Sequence, residues 1–84
     1  MPRFHFHLLE DGQMVIDDAG VERPSLEAVQ RDAIRAAREV MCAELQEGRL
    51  FLTGSIEVTD EGGKLVLSLP FRDCVEIVGV ETQH

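Results

Sequence analysis

Aromatic residues are scarce in this sequence, which has no tryptophan, no tyrosine and only four phenylalanines. Modules that bind single-stranded nucleic acid stack the bases on exposed aromatic side chains. Basic residues are scarce as well, because 8 Lys and Arg stand against 16 Asp and Glu and leave a formal net charge of −8. A phosphate backbone repels such a chain unless its basic residues cluster on one face. Nucleic-acid binding is therefore unexpected, whereas the acidic charge suits solubility or a partner with a basic surface.

Cysteine and long apolar runs are equally sparse. Cys42 and Cys74 are the only two cysteines, too few and too far apart for a disulfide framework or a zinc cluster. No apolar run approaches the length that crosses a bilayer. The apolar residues at the start alternate with Arg and His instead of forming a signal peptide. We therefore expect a cytoplasmic protein without a membrane partner and without a cofactor.

The 84 residues are predicted to form a single domain over 1–84, with its core at about 3–72 and an extra strand or packed tail at 74–84. Residues 3–9 alternate between apolar and polar side chains, which is the period of a half-buried strand. An Asp-Gly turn and a short strand at 14–16 follow. Residues 55–59 and 65–69 alternate in the same way around a Gly-Gly turn, so they predict a second hairpin. Pro70 either ends its second strand or places that strand at an edge.

One amphipathic helix is predicted between the two hairpins, from the N-cap Ser25 to about Glu47, with Gly48 placed to end it. Its apolar residues recur at helical spacing. They are Leu26, Val29, Ala33, Ala37, Val40 and Met41, widened by Ile34, Ala36 and Leu45. The predicted fold class is α+β: a small antiparallel sheet of β-β-α-β-β order with one long helix packed on one face. Val75, Ile77, Val78 and Val80 allow a fifth short strand.

His5 and His7 are candidate metal ligands. On a strand their side chains share one face, about 6.5–7 Å apart along the backbone, and two imidazoles at that separation can bind one metal ion. A catalytic metal also needs a third protein ligand and an open coordination position. The candidates for that ligand, none selected by its spacing, are Glu57, Asp73, Cys74 and His84. The alternative is two polar residues on the solvated face of the first strand.

The polar face of the predicted helix carries an arginine strip, which we define as Arg31, Arg35 and Arg38. At about 100° per residue the three side chains fall within a narrow band, with Cys42 one turn further. Such a strip can bind phosphate or a carboxylate-rich partner, and a nearby arginine can lower the pKa of Cys42 and make it reactive. The alternative is a solvated face with ion pairs at helical spacing. Those pairs would be Glu27–Arg31, Asp32–Arg35 and Arg35–Glu39.

No catalytic constellation is visible in the remaining polar residues. Asp17 and Asp18 lack the alternating ligands of a calcium loop, so turn chemistry is the better interpretation. Gly62-Gly63 is a hairpin turn and not a phosphate loop, because no helix follows it. The serines have neither a nucleophile-elbow pattern nor a nearby base. We therefore expect no enzyme activity and no catalytic residue.

Three stretches carry a resemblance to a known family: MPRFHFHLLEDG, DDAGVERPSLEAVQRDAIRAARE and IEVTDEGGKLVLSLPFRD. Together, over residues 1 to about 75, they resemble a domain-of-unknown-function family of short alphaproteobacterial proteins, abundant in the rhizobial order, with a Met-Pro-Arg-aromatic start and a Pro-Phe-Arg close. The resemblance implies no known activity, cofactor or catalytic residue. A weaker, architectural likeness is to the β-β-α-β domain of HicB-type antitoxins, which are acidic and bind a basic toxin. The DNA-binding segment of such antitoxins is absent here.

The sequence therefore favours a non-enzymatic protein-interaction module that acts as a homo-oligomer, with a homodimer expected. Its interaction surfaces would be the arginine strip and the open sheet face around His5 and His7. One alternative is a HicB-like antitoxin or regulatory partner of a basic protein. Another is a small metal-binding protein that uses His5 and His7.

Overall fold

The computed structural model describes residues 1–79 and shows one α-helix packed on an antiparallel sheet of five strands. The strands are β1 (Arg3–Glu10), β2 (Gln13–Val15), β3 (Val21–Glu22), β4 (Ser55–Asp60) and β5 (Leu65–Pro70). The helix α1 spans Leu26–Gln46, and a 3-10 turn at Phe71–Asp73 follows β5. The predicted α+β class is confirmed. The fifth strand is β3, which lies between the first hairpin and the helix and not in the segment after residue 74 that allowed a fifth strand.

β1 is the strand on which the rest of the sheet is assembled. The order is β2-β1-β4-β5, and β3 pairs with the first residues of β1 on the same side as β2. Across the other side, Phe6 lies opposite Val58 and Leu8 opposite Ile56, so the apolar side chains of both strands share one face. β2 and β3 leave a gap between them along β1, and β5 forms the far edge of the described sheet.

Both ends of α1 are capped as the sequence predicts. The Ser25 hydroxyl accepts a hydrogen bond from the Ala28 N–H at 3.1 Å. At the other end Gly48 adopts a φ of +87°, a conformation that glycine reaches at little cost. The Arg49 N–H then reaches the Glu44 carbonyl, and the Gly48 N–H reaches that of Leu45. These two bonds form a Schellman motif, which satisfies carbonyls left open by the last turn.

The core lies between the middle of α1 and one face of the sheet. Its helix side is a row of small residues with Val29, Ala33 and Ala37 fully buried, which lets the helix approach the sheet closely. The other members of the buried cluster are Phe4, Met41, Ile56, Val58, Leu69, Phe71 and Cys74. Two residues predicted for the apolar stripe lie outside it, since Leu26 is 59% and Leu45 55% exposed. They occupy the first and last turns of α1, beyond the stretch that the sheet covers.

The chain after the 3-10 turn packs only where it begins. Cys74 is buried and Val75 is packed against the core, whereas Ile77 and Val78 are exposed. Residues 74–79 contain no strand, so the described part of this segment is a packed tail that turns outward. Val80, the last residue proposed for an extra strand, lies outside the described residues.

Candidate functional site

The polar face of the sheet brings His5 and His7 together as the strand alternation predicts. Their rings are stacked nearly parallel, with centroids 6.2 Å apart. The loop between β2 and β3 crosses over them at Asp17. The Asp17 carbonyl lies 2.8 Å from Nδ1 of His5, and the Asp17 N–H donates to Nδ1 of His7 at 3.1 Å. We call Asp17, His5 and His7 the histidine clip.

These contacts fix where the ring protons lie. A carbonyl can only accept, so Nδ1 of His5 carries its proton and donates to Asp17. An amide N–H can only donate, so Nδ1 of His7 is unprotonated in this arrangement. The proton of His7 is therefore on Nε2, which lies 3.0 Å from the Thr59 hydroxyl oxygen. Both ring nitrogens of His7 are thus in hydrogen bonds within the protein.

The Asp17 carboxylate closes the gap that β2 and β3 leave along β1. One of its oxygens accepts from the Phe6 N–H at 3.0 Å, and the other accepts from the Gly20 N–H at 3.2 Å. Burial alone would raise the pKa of Asp17. The two N–H donors and the neighbouring His5 and His7 outweigh that effect and lower the pKa of Asp17 below its ordinary value. Asp17 thus stands in for a missing strand partner.

The clip leaves little capacity for metal binding at this face. Three of the four ring nitrogens of His5 and His7 are hydrogen-bonded within the protein. Glu57, one candidate third ligand, accepts a hydrogen bond from the Ser68 hydroxyl at 2.7 Å. Among residues 1–79 no group of three or more His, Cys, Asp or Glu side chains is placed to hold a metal ion. The candidate ligand His84 lies outside that range, and metal binding by His5 and His7 stays a prediction.

The arginine strip forms on the exposed face of α1, but its members differ. Arg38 donates from Nε to the Cys74 carbonyl at 2.7 Å and so ties the tail to the helix. Arg35 is 70% exposed and reaches only Asp32, at 3.8 Å. Arg31 is exposed and forms no ion pair with another residue of 1–79. Of the three predicted helical ion pairs, only Asp32–Arg35 forms within the described chain, and Arg23 also pairs with that aspartate.

An apolar trough that the sequence did not reveal adjoins the strip. It encloses about 400 Å³ between the last turns of α1 and the tail. Its lining residues are Arg38, Met41, Cys42, Leu45, Leu50, Val75, Glu76, Ile77 and Val78. Arg38 and Cys42 also border the open groove of about 450 Å³ along the strip, so strip and trough form one continuous surface. We call the apolar part the aliphatic trough. The sequence signal that could have revealed the trough is the group of aliphatic residues Val75, Ile77 and Val78.

The two cysteines occupy opposite environments. Cys42 is exposed where the strip meets the trough. Cys74 is 2% exposed, with its Sγ 3.4 Å from the Pro70 carbonyl oxygen, and burial raises the pKa of its thiol. A reactive Cys42 stays a prediction, whereas Cys74 serves as a core residue.

One comparison with known protein families covers nearly the whole fold. A family model for DUF6894, a domain of unknown function, matches residues 3–72. The chain belongs to that family. No curated protein and no solved structure matches it. The DUF6894 match includes the histidine clip and the arginine strip, and it ends before the tail residues that line the trough. Within residues 1–79 there is also no helix long and apolar enough to cross a membrane.

Proposed function

We propose that this chain is a non-enzymatic protein-interaction module that acts as a homo-oligomer and binds an acidic partner protein along the strip and the trough. The observation that carries the proposal is the continuity of the two surfaces. A row of exposed arginines borders exposed aliphatic side chains on one side of α1. Interfaces between proteins combine an apolar centre with a polar rim in this way.

The charge of the strip has few partners among the described residues of its own chain. Arg3, Arg23 and Arg49 each pair with an acid elsewhere in the fold. Arg31 has no such acid within residues 1–79, and the long contact of Arg35 to Asp32 is exposed to solvent. Glu39 lines the same groove but forms no ion pair with these arginines within residues 1–79, so in a chain of net charge −8 Arg31 and Arg35 make a local positive site. Guanidinium groups bind carboxylates with two parallel hydrogen bonds, so an acidic partner fits them.

The trough supplies the apolar contribution. Leu45 is 55%, Leu50 47%, Ile77 49% and Val78 77% exposed. Isolated exposed aliphatic residues are common on protein surfaces, but several around one depression mark a place where a partner excludes water. Burial of apolar surface contributes about 25 cal/mol per Å², which makes the trough the expected source of affinity and the strip the source of orientation.

Affinity capture with the tagged protein from cells of the source organism, followed by mass spectrometry, tests the proposal. The protein should capture one specific partner, and Arg31→Ala/Arg35→Ala should lose it. Lys64→Ala/Arg72→Ala is the matched control because both residues are exposed and the charge change is the same. For the trough, Leu45→Ser should lose the partner, whereas Leu26→Ser, an equally exposed leucine at the other end of α1, should keep it. Loss in both members of a pair, or in neither, contradicts the proposal.

A further inference from the structure

We propose that two copies of this chain associate through the outer edge of β5, by antiparallel pairing at Ser68 that extends the sheet across a twofold axis. The inference rests on the homo-oligomer of the proposed function and assigns its interface. It leaves the strip and the trough to a different partner. Among the described residues the strand order ends at β5, so the outer side of β5 is an edge of the sheet.

The direction of the backbone groups on β5 follows from one hydrogen bond on β1. The Phe6 N–H bonds to Asp17 and therefore points away from β4. Its partner Val58 must then direct its own backbone groups towards β5, because neighbouring positions of an antiparallel ladder alternate. Val58 faces Leu67 and Ile56 faces Leu69, so these two leucines bond inward. Ser68, between them, directs its N–H and C=O outward.

Other features of β5 agree with this assignment. Pro70, which has no N–H, lies opposite Ser55 at a position that needs no inward donor. The Phe71 N–H again points inward and bonds the Gly54 carbonyl at 2.9 Å. A bulge shifts the register at Val58/Thr59, on the side of β5 that begins with Leu65. Bulges interrupt pairing, so the half of β5 around Ser68 is the part able to receive another strand.

β5 carries no charged side chain, a property that it shares with the three-residue strand β2 at the opposite end of the sheet. Residues 65–70 read LVLSLP and include no charged side chain. Natural edge strands are commonly protected by inward-pointing charges or by lysine, and an uncharged edge is a template for pairing. Two copies of net charge −8 repel each other at most surfaces, and this repulsion is weakest where the contacting strands are neutral.

A second copy is the occupant that this geometry favours. An antiparallel strand is self-complementary about a twofold axis, so β5 of one copy presents the groups that β5 of the other needs. The mode is strand addition, in which backbone hydrogen bonds hold the two chains together.

Sedimentation equilibrium over a wide concentration range tests the interface with Ser68→Pro and Ser68→Ala. On the backbone, proline at residue 68 removes the outward N–H, a change that edge strands tolerate. Both variants lose the hydroxyl that bonds Glu57, so Ser68→Ala isolates the backbone effect. We expect the wild type and Ser68→Ala to reach twice the 9.4 kDa chain mass. Ser68→Pro should weaken dimerisation about tenfold to hundredfold, since two backbone hydrogen bonds per dimer are lost.

Amide hydrogen exchange of the wild type covers the case in which Ser68→Pro does not fold. The Ser68 amide should become protected as the protein concentration rises. Two results would overturn the interface at β5 but not the homo-oligomer itself. One is a dimer in which the Ser68 amide still exchanges as fast as an open edge amide. The other is a folded Ser68→Pro variant that dimerises as strongly as Ser68→Ala. A wild type that stays monomeric overturns both. Partner binding through Arg31 and Arg35 is measured separately and fails independently of either result.

Discussion

Replacing Asp17 by asparagine tests the histidine clip with almost no change in shape. The carboxylate accepts two backbone hydrogen bonds, from Phe6 at 3.0 Å and from Gly20 at 3.2 Å. The asparagine amide has one accepting oxygen, so one of the two N–H groups loses its partner. A hydrogen bond to a charged group contributes about 1.5–3 kcal/mol, and both donors here are only partly buried. We therefore expect Asp17→Asn to lower the free energy of unfolding by about 1–2 kcal/mol at neutral pH.

The loss of stability in Asp17→Asn should become smaller as the pH falls. The pKa of Asp17 is lower in the folded protein than in the unfolded chain. The unfolded state therefore binds more protons as the solution is acidified, and the contribution of the carboxylate to stability disappears as the pH falls through the folded pKa. Above the unfolded pKa the contribution is complete. Because a protonated aspartic acid resembles asparagine, the wild type and Asp17→Asn should converge in acid.

Urea denaturation at neutral pH and at several acidic values measures both effects. Asp18→Asn is the matched control: the neighbouring side chain is exposed and the same charge is removed, so its effect should stay within about 0.5 kcal/mol. Hydrogen exchange at the Phe6 amide gives a local readout, which should quicken in Asp17→Asn alone. Equal stability of wild type and Asp17→Asn at neutral pH, or a difference that persists unchanged in acid, would refute the role assigned to Asp17.

Three further predictions concern other parts of the fold. Glu10→Gln should stabilise the protein at neutral pH, because burial, then Glu44 and Asp11, raises the pKa of Glu10, and its Oε2 has no hydrogen-bond partner within residues 1–79. Since the native state then holds the proton more tightly, the gain should vanish in acid, as urea titrations at two pH values can show. Gly54→Ala should cost about 1–3 kcal/mol in the same assay, because a Cβ would lie 2.7 Å from Cε2 of the fully buried Phe71. A chromogenic disulfide reagent should modify one thiol, Cys42, in the native protein and the second, Cys74, only at the rate of unfolding.

The fold was predictable where local patterns and tertiary packing agree. Alternation over residues 3–9 predicted β1, and the Ser25 and Gly48 signals predicted both ends of α1. The pattern failed at Leu26 and Leu45 because periodicity reports which side of a helix is apolar, not how far the sheet beneath it extends. It also missed β3, since two residues are too short for a period and their pairing with Arg3 and Phe4 is set by the fold of the preceding loop.

The candidate site was predictable only in its separate parts. Helical spacing placed Arg31, Arg35 and Arg38 on one face, and strand spacing placed His5 beside His7. The role of Asp17 was not visible in the sequence, because its hydrogen bonds to His5, Phe6 and His7 join residues 10 to 12 positions apart. The preference of aspartate for turns also accounted for the residue without any such role. The aliphatic trough was also missed, since it forms between the last turns of a helix and a tail with no period of its own.

The clip and the strip can be separated by experiment, because one closes a surface within the chain and the other leaves a surface open. His5 and His7 bond to the loop that covers them, so losing the Asp17 carboxylate should lower stability and leave partner capture intact. Arg31 and Arg35 are exposed and contribute little to the fold, so Arg31→Ala/Arg35→Ala should keep stability within about 0.5 kcal/mol and lose the partner. If Asp17→Asn instead loses the partner while its folded fraction is unchanged, the sheet face around His5 and His7 is the binding surface and the strip is a solvated helix face.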